Sequence, residues 1–74
     1  MEISSKELDM LAVYSCRYTI GRMTYAVNDT VDFLIKHWDE LSDNAKKVII
    51  GDIKSAPSLG MEMDEANWQK VLEL

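Results

Sequence analysis

The sequence predicts an all-α fold, a compact bundle of about four short helices. Three observations carry that reading. Apolar residues recur at three- and four-residue steps, most cleanly between residues 27 and 41. Helix-start residues stand just before each periodic run, and glycine or proline closes two of them. At 74 residues the chain has room for one domain, spanning 1 to 74.

The first segment reads SSKELDMLAVYSCRYTIG. Ser4 stands three residues before Glu7, the spacing of a capping box, and Gly21 suits the left-handed position that ends a helix. Leu8, Leu11 and Ala12 are expected on one face, and Met10, Val13, Tyr14 and Tyr18 on another. A helix so apolar all round should be central in its fold or shared with a partner. RMTYAV then reads as a short link, followed by Asn28 as N-cap and Asp29 near the positive end of the helix dipole. The stripe of this second helix is Val27, Val31, Leu34, Ile35, Trp38 and Leu41.

Ser42 and Asp43 should start a third helix, with Ala45, Val48, Ile49 and Ile53 turned inward. It is expected to end near SAPSLG, where Pro57 and Gly60 interrupt helical structure. Asp64 should cap a short fourth helix with Trp68, Val71 and Leu72 on one apolar face.

Composition narrows the function. The chain is 47% hydrophobic and 28% charged, a globular balance. A net charge of −5 argues against nucleic acid as the main partner, because lysine and arginine supply most of that affinity. A basic protein surface suits this charge better. No apolar run approaches the roughly 20 residues that span a bilayer, so no membrane partner is expected. One cysteine, Cys16, and one histidine, His37, offer neither an internal disulfide nor a zinc site. The lone cysteine and the polar N-terminal segment point to a reducing cytoplasm. No metal and no cofactor are expected. Domains this small often gain stability by association, so a homodimer or a tightly held partner is expected as well.

The candidate binding residues gather in RYTIGRMTY. Arg17 falls between Val13 and Met10 on the helical wheel, so its stem should pack while its head reaches a carboxylate or helix-end carbonyls. Losing it should then strand a buried partner group. Arg22 follows the glycine and is expected to be exposed, with Tyr25 close by. Tyr14 and Tyr18 share a face and are expected to pack on the core; exposed, they would form a recognition patch with the arginines. No serine or cysteine stands where His37 would act as its base, so no catalytic residue is assigned. Cys16 reads as a small buried hydrophobe.

The segment CRYTIGRMTYAVNDTVDFLIKHWDEL resembles a group of small, largely uncharacterised phage and prophage proteins. The matching residues are Arg17, Tyr18, Gly21, Arg22, Thr24, Tyr25, Asp29 and Trp38, and Trp68 fits the pattern too. The resemblance implies a phage context, the cytoplasm of a bacterial host and no catalytic residue. Small phage proteins often block a host protein. The expected function is therefore non-enzymatic binding of a host protein such as a defence nuclease, an anti-CRISPR-like role. The competing expectation is sequestration of a nucleotide signal by Arg17, Arg22 and the nearby tyrosines.

Overall fold

The computed structural model describes residues 4 to 21 and 25 to 74, leaving out the Tyr25 side chain. Four helices follow in order: α1 (Ser5–Thr19), α2 (Tyr25–His37), α3 (Asp43–Ser55) and α4 (Glu65–Leu72). Short 3₁₀ turns at Trp38–Glu40 and Pro57–Leu59 finish α2 and α3. No strand occurs among the described residues.

Each helix boundary has a local cause. Ser4 accepts a hydrogen bond from the Glu7 N–H, and its hydroxyl donates to the Glu7 carboxylate. Gly21, at φ +82°, carries the chain past the end of α1 in the left-handed region. Ser42 caps α3 through the Ala45 N–H, and Asp64 caps α4 through the Asn67 N–H. Gly60, at φ +76°, closes the turn after Pro57. These residues lie where the sequence places them.

The start of α2 differs from expectation. The helix begins at Tyr25, so Asn28 is not its cap. Val27 is buried, and a helical first turn is what puts it on one face with Val31 and Leu34. Asn28 instead accepts a hydrogen bond from Asn67 Nδ2 at 2.7 Å, tying α2 to α4.

The helices close into a ring: α1 lies against α2 and α3, and α4 lies against both on the far side. Leu8, Ala12 and Cys16 from α1, Val27, Val31 and Leu34 from α2, Ile49 and Ile53 from α3, and Trp68 and Val71 from α4 meet in one core. Trp38 and Leu41 seal the end near the first 3₁₀ turn. Burial of these apolar side chains is the main stabilising term.

Three face assignments are corrected. Ile35, Leu11 and Val48 are all partly exposed. The buried arc of each helix is narrow because each packs on only two neighbours, so a residue one step off the arc reaches solvent. For the same reason α1 is not central. Its buried line is Leu8, Ala12, Cys16 and Thr19, and the opposite face looks outward.

Candidate binding surface

Tyr14 and Tyr18, which sequence reasoning assigned to the core, lie on this outward face of α1. Tyr14 is 60% and Tyr18 67% exposed, with Met10 and Leu11 at 47% each. The core packing expected for the two tyrosines is overturned, because the wheel position of Cys16 faces the core and theirs lies across the helix from it. Between α1 and α3 the surface dips into an open groove of about 310 Å³. Met10, Val13, Tyr14 and Val48 form its apolar lining, and Asp9, Ser42 and Asn44 its polar side.

Two polar contacts fix α1 against α3 along this groove. The Ser42 N–H donates to Asp9 Oδ1 at 3.0 Å, which holds the Asp9 carboxyl below its ordinary range. Further along, Arg17 Nε donates to Asp52 Oδ2 at 2.8 Å. The expected carboxylate partner of Arg17 is therefore present, but the burial is not: the arginine side chain is 54% exposed. Hydrogen bonding to Asp52 and its negative charge raise the guanidinium pKa further, so the charge is permanent. An exposed ion pair contributes little to stability, which corrects the expectation that losing Arg17 strands a buried group.

Beneath this pair lies Cys16, fully buried. Desolvation pushes its thiol up to about 12, with the Asp52 charge adding to the effect and Arg17 partly opposing it. At neutral pH the sulfur stays protonated and behaves as a small hydrophobe. His37 lies apart on α2, its ring against Phe33 and its Nδ1 2.6 Å from Glu40 Oε2.

Of the four residues singled out in RYTIGRMTY, the structure brings two to this surface, Arg17 and Tyr18. Arg22 lies outside the described residues, as does the Tyr25 side chain. Sequence reasoning missed the groove itself, together with Asp9 and Asp52 as its polar anchors. Both anchors join residues more than 30 apart, beyond the reach of local patterns. The exposed stripe had a signal: Met10, Tyr14 and Tyr18 recur at four-residue steps opposite Leu8, Ala12 and Cys16.

No group of His, Cys, Asp and Glu able to hold a metal occurs among the described residues. Nor is any helix among them long and apolar enough to cross a membrane. No family model, curated protein or solved structure matches the chain.

Proposed function

We propose that this chain is a non-enzymatic binding protein that blocks or redirects a host protein, docking through the outer face of α1 and its groove with α3. One observation carries the reading: Met10, Leu11, Tyr14 and Tyr18 are exposed together on one face of a helix whose other face is committed to the core. Tyrosine and methionine are enriched at the centres of interfaces, and an apolar patch of a few hundred Å² on a small protein commonly serves recognition. The net charge of −5 favours a basic partner, such as the nucleic-acid-binding surface of a defence nuclease. The phage-like pattern in RYTIGRMTY points the same way.

The nucleotide-sequestering alternative draws no support from the groove. Its lining carries the Asp9 carboxylate and neither lysine nor arginine, and Asp52 already engages Arg17. The test is a pull-down from bacterial host lysate, read by mass spectrometry, with three baits. These are the natural chain, a Met10→Ser, Tyr14→Ser variant, and an Arg22→Ala, Tyr25→Ala variant. A protein retained by the natural chain and lost from the Met10/Tyr14 variant is the expected result. Equal retention by all three refutes the α1 face as the docking surface.

A further inference from the structure

The outer face of α1 carries a short pattern whose spacing reads the same from both ends. Glu7, Met10, Tyr14 and Arg17 are all exposed and follow at three- and four-residue steps. On a helix of about 3.6 residues per turn, such positions form one narrow line, the spacing of a seam between two helices. Positions 7 and 17 are equally far from residue 12, and so are positions 10 and 14. The line is acidic at its start, apolar in its middle and basic at its end.

We propose that this line packs against the same line of a second copy, the two α1 helices running antiparallel about a two-fold axis near residue 12. In that register Glu7 of each copy meets Arg17 of the other, and Met10 meets Tyr14. A two-fold interface makes every contact twice, so ion pairs flank both ends of an apolar centre. A parallel arrangement sets Glu7 against Glu7 and Arg17 against Arg17, and like charges disfavour it. Arg17 is prepared for the role. Asp52 takes its Nε and orients the guanidinium, leaving the N–H groups of its terminal nitrogens for an incoming carboxylate. This inference rests on the reading of the face as an interaction surface and names one occupant for it.

The area sets the strength. Taking about 200 Å² for each of Met10, Leu11, Tyr14 and Tyr18, their exposed fractions offer roughly 450 Å² per copy. Two copies bury about 900 Å² before the charged ends are counted, below the 1,200 Å² or so of a stable complex. The dimer is therefore weak and reversible, forming at roughly tens to hundreds of micromolar.

Sedimentation equilibrium of the full chain, from about 5 to 500 µM, tests it. The mass should rise reversibly with concentration from 8.5 kDa toward twice that value. The Met10→Ser, Tyr14→Ser variant, altered only at exposed positions, should keep its helical circular dichroism and associate at least about tenfold more weakly. Single cysteines then read the direction. In the antiparallel register Met10 of one copy stands level with Tyr14 of the other, so a mixture of Met10→Cys and Tyr14→Cys chains brings two thiols together, whereas two Tyr18→Cys sites lie about 18 Å apart along the axis. A disulfide needs Cα atoms within about 7 Å, so mild oxidation should cross-link Met10→Cys to Tyr14→Cys and should not cross-link Tyr18→Cys to itself. The native Cys16 does not compete, because it is buried and its thiol stays protonated. A natural chain that stays monomeric throughout overturns the proposal, and so does equal cross-linking of Tyr18→Cys. If that monomer still loses a captured host protein on Met10→Ser, Tyr14→Ser substitution, self-pairing falls while the interaction surface stands.

Discussion

Trp68 is 1% exposed, and its indole Nε1 has no hydrogen-bond partner among the described residues. Two substitutions there should therefore differ sharply. Trp68→Ala removes the largest fully buried side chain and leaves a cavity between α2, α3 and α4, at a cost of about 3–5 kcal/mol. A 74-residue domain holds about 4–11 kcal/mol in all, at roughly 0.05–0.15 kcal/mol per residue, so this variant should lose a large share of its total stability. Trp68→Phe also loses volume, but it removes a buried donor whose desolvation is uncompensated, about 1–3 kcal/mol in the opposite direction. The two effects offset, and the net change should stay within about 1 kcal/mol, or roughly 4–8 °C in Tm. Urea unfolding followed by far-UV circular dichroism measures both variants without relying on the altered fluorophore. A Trp68→Phe protein as damaged as Trp68→Ala would refute the reasoning, because it would mean that the indole N–H contributes nothing unfavourable.

Three further outcomes follow from the same structure. The glycines should separate by context: Gly21→Ala costs about 1–2 kcal/mol of left-handed strain, its Cβ displacing only the flexible end of Met61, whose Cε would stand 2.6 Å away. Gly60→Ala pays the strain alone, and Gly51→Ala, mid-helix with nothing within 4 Å, gains about 0.5–1 kcal/mol; urea midpoints rank the three. Cys16, with its thiol pushed up to about 12, should react with a thiol reagent at pH 8 only as fast as the chain unfolds, so its rate should climb with urea. Asp9 has a folded pKa below its unfolded value near 3.8, so the unfolded chain binds the extra proton. Its stabilising contribution is present above that value and is lost as pH falls through the folded pKa. Acid unfolding of Asp9→Asn, compared with the natural chain, should show a shallower pH dependence in that window.

What the sequence made legible was local. Ser4, Gly21, Ser42, Pro57, Gly60 and Asp64 act within a few residues of themselves, and each ends or starts a helix where its chemistry requires. The inward residues Val31, Leu34, Ile49, Ile53, Trp68 and Val71 follow from helical periodicity alone. The contacts that join distant helices are different in kind. Asp9 with Ser42, Arg17 with Asp52 and Asn28 with Asn67 each join elements more than 30 residues apart, and nothing in the neighbouring sequence encodes such a pair. The tyrosines were misassigned because amphipathic analysis cannot tell two apolar faces of one helix apart. On the face of α1 that turns inward, the small residues Ala12 and Cys16 are fully buried.

The central claim is that the outer face of α1 is where this protein meets another macromolecule. Hydroxyl-radical footprinting of Met10, Tyr14 and Tyr18 tests it most directly, in the dilute chain and then with its captured partner or at dimer-forming concentration. Modification of Met10 and Tyr14 should fall severalfold on association, while the solvent-facing Leu59 at the far turn keeps its rate. Unchanged rates at Met10 and Tyr14 in a demonstrably associated sample would contradict the claim.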